Sequence, residues 1–254
     1  MKLSANQIDQ FGRDGYLIVE DFVSSERVQA LTQRIEDIAA GRTDFPEACI
    51  EYEPGATGKE RNLNSLRKIN SCSIHDPLFF EHARTPAFLD AMEGLLGPDL
   101  KQYGDQLFMK PPGGMEKTYH QDSAYFNIAP MNIITIWVAL DDVTLDNGCL
   151  WVVAGSHKEG LVDHSEKWMV GGRQDKRVPD NAIDRNREKP IVMQVGSCSF
   201  HHSLLLHRSG PNNTSEHRRG LATHYMSSQA RWTAAPEDKP DYPLLRGREF
   251  PACV

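Results

Sequence analysis

Near residue 100 the chain changes its hydrophobic period, and that change limits the fold more than any other feature. Before it, apolar residues recur at helical spacing. "SSERVQALTQRIEDIAAG" puts Val28, Leu31, Ile35 and Ile38 on one stripe, begins on serine and stops at Gly41. That stripe reads as packing against the chain's own sheet rather than against a partner. "LSANQIDQF" opens on Ser4 with Gln7 three residues on, a capping-box pattern, and a strand-like "GYLIVEDF" separates the two helices. Residues 77–96 read as one or two more helices, closed by Gly97-Pro98. After residue 100 come short strands: "QLFMK", "NIITIWVAL", "CLWVVAGS", "PIVMQV", "RGLATHYMS", and a run from Ser197 to Leu206 within "SCSFHHSLLLH". Turn signals such as Pro111-Pro112-Gly113-Gly114, Asp146-Asn147-Gly148 and Ser209-Gly210-Pro211-Asn212 divide them. Helices first and many short strands afterwards imply a mainly β fold of jelly-roll type with flanking α-helices.

Two stretches fall outside that pattern. Residues 41–64 are polar and rich in Gly, Pro and Glu, and read as a surface loop. Residues 157–189 are strongly charged and weakly periodic, which suits either a lid over a site or a plain excursion. No internal repeat or linker divides the chain, so 1–254 reads as one domain.

Composition removes several function classes. The formal net charge is −7, and no concentrated Lys/Arg face of the kind a nucleic-acid groove needs is visible. The five cysteines are scattered and form no C-x-x-C, which argues against a zinc knuckle or dithiol motif and suits a reducing compartment. No apolar run approaches a membrane span and "MKLSANQIDQFGRDG" lacks a signal-like apolar stretch, so a cytoplasmic protein acting on a small molecule is the expectation. Nothing in the sequence specifies an oligomeric state.

A His-x-carboxylate pair occurs three times, at His120/Asp122, His157/Glu159 and His164/Glu166. Residues two apart on a strand share a face, so each pair could aim at one ion. The last two lie in the charged stretch, where solvated side chains are ordinary. His120 and Asp122, in "EKTYHQDSAYFNIAP", lie where strand-like sequence meets a loop. A third ligand is available from "FHHSLLLHRSGPN": His207 stands at the end of a strand-like run, while His201 and His202 face opposite sides, so at most one of them shares its face. Two histidines and one aspartate leave three adjacent positions of an octahedral ion open, which suits non-haem Fe(II) that must take a co-substrate and dioxygen together. Arg218, on the next strand-like segment, could grip the far carboxylate of 2-oxoglutarate bidentately, and Ser209 could donate to the same group.

These residues lie within a longer resemblance. "FGRDGYLIVEDFVSSERVQALTQRI", "MKPPGG" before "HQD", "WVALDDVTLDNGCLWVVAGSHKEG", "HRSGPNNTSEHRRGL" and "YPLLRGREFP" are together similar to the phytanoyl-CoA dioxygenase family of Fe(II)/2-oxoglutarate-dependent oxygenases. The resemblance implies a double-stranded β-helix (cupin-like jelly roll) supported by N-terminal helices. It implies His120, Asp122 and His207 as iron ligands and Arg218 and Ser209 as the 2-oxoglutarate anchor. It further places Trp137, Lys68 and Gln106 beside the co-substrate. Gln121, Tyr125 and Phe126 flank the motif and would either touch substrate or pack locally.

The implied activity is hydroxylation of an unactivated C–H with release of succinate and carbon dioxide. Related halogenases lack the carboxylate ligand, so Asp122 favours oxygen insertion. Two readings from other classes stand beside this one. The triad could hold Zn²⁺ in a metal-dependent hydrolase, or the jelly roll could be a non-catalytic small-molecule-binding module.

Overall fold

The computed structural model describes residues 2–54, 61–170 and 173–254. The first helix, α1 (Ala5–Asp14), starts where the sequence marks it. Ser4 Oγ accepts from the Gln7 amide at 3.3 Å, and Gln7 Oε1 accepts from the Ser4 amide at 2.9 Å. Gly15 ends it at φ 79°, a left-handed conformation that glycine takes without a Cβ penalty. Strand β1 (Tyr16–Val19) follows, then α2 (Ser25–Ala39), capped by Ser24. Its Val28, Leu31, Ile35 and Ile38 are buried, as their spacing requires.

Next come β2 (Ile50–Tyr52), β3 (Leu66–Asn70), α3 (Cys72–His75), α4 (Pro77–Ala83) and α5 (Pro86–Leu96). Strands β4 (Leu100–Lys110), β5 (Lys117–His120), β6 (Ile128–Ala129), β7 (Ile134–Ala139) and β8 (Leu150–Val153) follow. The chain continues through β9 (Glu166–Val170), β10 (Arg173–Arg177), β11 (Glu188–Ile191), β12 (Cys198–His202) and β13 (His207–Ser209). It closes with β14 (Arg218–Ser227), β15 (Arg231–Trp232) and β16 (Leu244–Arg246).

Two antiparallel sheets face each other. The larger runs β1-β12-β7-β14-β4-β3-β2, with β16 also on β4, and the smaller runs β11-β8-β13-β5. Strand alternation divides the larger sheet's side chains between two environments. Ile134, Ile136, Val138, Phe200, Leu221 and Tyr225 join α2 and α5 in the main core. Trp137, Ala139 and Ala222 point the other way and pack with Val152 and Ile191 of the smaller sheet and with Cys149 just before β8. The polar residues of that second face therefore line the space between the sheets, where the site lies.

Two sequence expectations need correction. Ser197–Leu206 is not one strand. β12 ends at His202, the backbone turns through Ser203 and Leu204, and β13 begins at His207 in the opposite sheet. Ser156 Oγ accepts the Leu206 amide at 2.9 Å and the Leu205 amide reaches the His202 carbonyl at 2.8 Å. An apolar "SLLL" run looks like strand whether it pairs or turns inside the core. The presumed loop 41–64 also contains β2, which pairs with β3 through Ile50↔Ile69 and Glu51↔Lys68. Residues 55–60 of that stretch lie outside the described residues.

The 157–189 stretch holds the β9–β10 hairpin, of which residues 171–172 are not described. Asp175 from β10 lines the cavity and accepts from the Tyr125 hydroxyl at 2.5 Å. Lys117 pairs with the same carboxylate. Through Asp175 the hairpin borders the cavity.

Candidate active site

His120 on β5 and His207 on β13 are direct cross-strand partners, with ring centroids 4.2 Å apart. Asp122 follows β5 at the start of a tight 3₁₀ turn, Asp122–Ala124. Its Oδ1 lies 3.6 Å from His120 Nε2 and 3.7 Å from His207 Nε2. One donor atom from each residue falls within 4.8 Å of the others. Among the described residues, this is the one set of three or more His, Cys, Asp or Glu groups that converges so.

The donor chemistry suits a divalent ion. His120 Nδ1 meets the Thr118 carbonyl and His207 Nδ1 the Leu205 carbonyl, each at 2.9 Å. A carbonyl only accepts, so both Nδ1 atoms carry the proton and both Nε2 lone pairs face Asp122. Burial, then the adjacent His207, pushes His120 well below the ordinary histidine range. Burial alone would raise the Asp122 carboxyl, but His207, His224 and His201 outweigh it and hold it below its usual value. A neutral His120 and an ionised Asp122 therefore present themselves without first losing a proton.

A cavity of about 390 Å³ extends from this cluster between the sheets. Arg218, which opens β14, also lines it, 2% exposed and with its guanidinium 5.4 Å from the Trp137 ring centroid. Arg218 Nη2 donates to the Gly148 carbonyl at 3.2 Å, while its Nε, also buried, has no hydrogen-bond partner among the described residues. Burial lowers Arg218 to about 10. Ser209 also lines the cavity, where the β13–β5 register slips after His207.

Trp137, Lys68 and Gln106 line the same space. Trp137 and Gln106 flank Ala222 from the neighbouring strands β7 and β4. Lys68 lies over the Phe108 ring at 5.6 Å and 3.8 Å from Glu51. Tyr125 and Phe126 line the wall beyond the triad, with Phe126 against His224.

Gln121 departs from the expected substrate contact. It is fully buried, its amide donates to the Gly160 and Leu204 carbonyls at 2.8 and 2.6 Å, and its Oε1 accepts from the Val162 amide. The alternation that aims His120 and Asp122 inward turns Gln121 away.

Sequence reasoning passed over three further groups. His201 reaches Asp122 Oδ2 at 3.8 Å, so it is the member of the His201/His202 pair that shares the triad's side. His224 lines the cavity, with Nδ1 2.7 Å from Thr135 Oγ1. Lys110 lies beside Ser209, and its place in "MKPPGG" was its one signal. The other His-x-Glu pairs stay out of the cluster. His164 Nε2 accepts the Gln121 amide at 2.9 Å, and His157 packs its ring against His202.

Facing antiparallel sheets, a His-Asp-His cluster and a buried arginine in the same cavity define a non-haem Fe(II), 2-oxoglutarate-dependent oxygenase. The family model described as phytanoyl-CoA dioxygenase matches residues 11–220, and the chain belongs to that family. The peroxisomal phytanoyl-CoA dioxygenase of Rattus norvegicus is 30% identical over 91% of this chain and 70% of its own length. A probable alpha-ketoglutarate-dependent hypophosphite dioxygenase of Stutzerimonas stutzeri is 26% identical over 89% of this chain and 79% of its own. Among solved structures, EctD from S. alaskensis with 2-oxoglutarate and 5-hydroxyectoine shares the fold at TM-score 0.75 and 24% identity, covering 99% of this chain and 86% of that one.

Proposed function

We propose that this dioxygenase hydroxylates an unactivated C–H of a small organic molecule, with His120, Asp122 and His207 as the Fe(II) ligands. Arg218 and Ser209 hold the C5 carboxylate of 2-oxoglutarate in this reading. The observation that carries it is that three convergent donors and a buried guanidinium, without a carboxylate in ion-pair contact among the described residues, line one cavity. Fe(II), 2-oxoglutarate and dioxygen together supply the oxidation, leaving succinate, carbon dioxide and a hydroxylated product.

The protein's part is geometric. The three ligands leave one side of the ion open to the cavity. Arg218 sets the co-substrate's reach from the ion, and Trp137 beneath it excludes water from the charged contact. Lys68 and Gln106 border the co-substrate, and Tyr125 and Phe126 border the primary substrate.

Neither alternative accounts for these features. A zinc hydrolase has no evident use for a buried arginine stacked on tryptophan in the cavity that its ligands share, and a vestigial site has no reason to keep both imidazoles in the ligating tautomer. The relatives' names span phytanoyl-CoA and hypophosphite, so family membership leaves substrate size open. A cavity of about 390 Å³ favours a compact molecule over nucleic acid or a long acyl chain.

We read 1–254 as one domain. Among the described residues no helix is long and apolar enough to cross a membrane. The free cysteines support a reducing, cytoplasmic setting, although the rat relative is described as peroxisomal.

Asp122→Ala tests the assignment: substrate-coupled succinate release is lost while the far-UV spectrum stays native. Full activity in that variant contradicts the triad.

A further inference from the structure

Lys110 ends β4 directly opposite Arg218 on β14. It is 6% exposed and lines the cavity. Its ammonium donates to Ser209 Oγ at 2.9 Å and to the Gly210 carbonyl. Gly148 brings the two cations to one spot. Its carbonyl accepts from Arg218, and a Cβ there would meet Lys110 Cδ at 2.8 Å and the Gly210 carbonyl oxygen at 2.5 Å. Glycine is required at that close approach, and its φ of +84° requires it again.

Two buried cations thus sit across one strand pair. Among the described residues neither has a carboxylate in ion-pair contact; their acceptors are a hydroxyl and two backbone carbonyls. Buried charges of one sign are tolerated where an anion completes them. The hydrogen-bond polarity carries the argument further. An ammonium only donates, so Ser209 Oγ is the acceptor in this contact and its own O–H remains free for a second partner. The ammonium has three N–H bonds, and two are used.

We propose that Lys110 is a positioning residue of the co-substrate anchor: it adds a second positive charge beside Arg218 and turns the Ser209 hydroxyl toward the distal carboxylate of a dicarboxylic 2-oxoacid. This rests on Arg218 and Ser209 being that anchor. Burial, and next Arg218, push the Lys110 ammonium well below its ordinary range, so its charge is favoured most when an anion is bound beside it.

The test is anaerobic calorimetry on the full chain. Mn(II) is titrated first, and 2-oxoglutarate is then titrated into the Mn(II)-loaded protein. Wild type is compared with Lys110→Met, Ser209→Ala, Arg218→Ala and the Lys110→Met/Ser209→Ala pair, with Lys110→Gln used where Lys110→Met does not fold. Lys110→Met is expected to weaken 2-oxoglutarate binding roughly ten- to a hundredfold, the range for one charge-assisted hydrogen bond, and to leave Mn(II) affinity unchanged. The double variant is expected to lose less than the two single losses combined, because the residues act in series.

Wild-type 2-oxoglutarate affinity in Lys110→Met, while Ser209→Ala and Arg218→Ala are weakened, overturns the proposal and leaves the anchor standing. Parallel loss of Mn(II) and 2-oxoglutarate affinity overturns it in favour of a structural tie between β4 and the Ser209–Gly210 turn. Full affinity in Ser209→Ala and Arg218→Ala means the anchor itself lies elsewhere.

Discussion

Gly220 on β14 lies directly beneath the indole of Trp137 on β7. A Cβ at position 220 would fall 1.8 Å from Trp137 Cζ2 and 2.2 Å from Cε2. The glycine is there for space: it lets the indole lie flat against the sheet under the Arg218 guanidinium. Gly220→Ala is expected to cost about 1–3 kcal/mol through overpacking. By displacing Trp137 it should also weaken 2-oxoglutarate binding. Urea unfolding and a 2-oxoglutarate titration check the two effects, and native values in both would show that the indole has room to spare.

Arg218 is the charged end of that stack. Removing a guanidinium that grips a carboxylate through two charge-assisted hydrogen bonds costs about 3–5 kcal/mol. Arg218→Ala should therefore raise the 2-oxoglutarate requirement by about two to four orders of magnitude. Kinetics at saturating iron and varied 2-oxoglutarate measure it. An unchanged requirement places the anchor on another residue.

Gln121 acts on the site from behind. Its amide joins the Gly160, Val162 and Leu204 backbones to the residue between two ligands, and His164 holds its backbone amide. Gln121→Ala leaves several buried backbone groups unpaired and is expected to cost about 3 kcal/mol. Iron affinity should fall with it, because the turn that carries Asp122 loses its support. Denaturant midpoint and metal affinity should drop together; a loss of turnover with both intact would make Gln121 a substrate contact after all.

Acid should destabilise the protein through histidines remote from the triad. Burial lowers His82 to about 3, and burial with His157 nearby lowers His202 to about 4, from an ordinary 6.5. Above 6.5 both are neutral in either state and contribute no slope. As the pH falls through 6.5 the unfolded chain takes up protons that the folded chain refuses. Each group then lowers stability by about 1.4 kcal/mol per pH unit until its folded value is reached. His82→Leu removes one of these groups, whose ring nitrogens have no hydrogen-bond partner among the described residues. The variant should show a shallower fall in unfolding free energy between about pH 6.5 and 4. An unchanged slope would show that His82 gains its proton without unfolding.

Much of this arrangement is legible in the sequence because it is local. Ser4, Gln7 and Gly15 bound α1 through contacts within a few residues, and the α2 stripe is a matter of spacing. The extended backbone at Gln121 carries the alternation of β5 on to Asp122, so His120 and Asp122 share a side while Gln121 turns away from the cavity. What stayed hidden depends on pairing between distant segments. The turn at Ser203–Leu206 carries His207 to the smaller sheet, yet its apolar residues look like uninterrupted strand. Lys110 faces Arg218 through the β4–β14 register, over a separation that no short motif encodes. His201 and His224 enter the site through a row across β12, β7 and β14, with Thr135 between them.

The central claim is that His120, Asp122 and His207 hold an Fe(II) chelated by 2-oxoglutarate. Anaerobic titration of the metal-free protein with Fe(II) and then 2-oxoglutarate, followed through the visible metal-to-ligand charge-transfer band, tests it most directly. The band should appear only when both are present and be absent from His120→Ala. With metal content verified, a wild-type protein that shows no band and binds no 2-oxoglutarate contradicts the assignment.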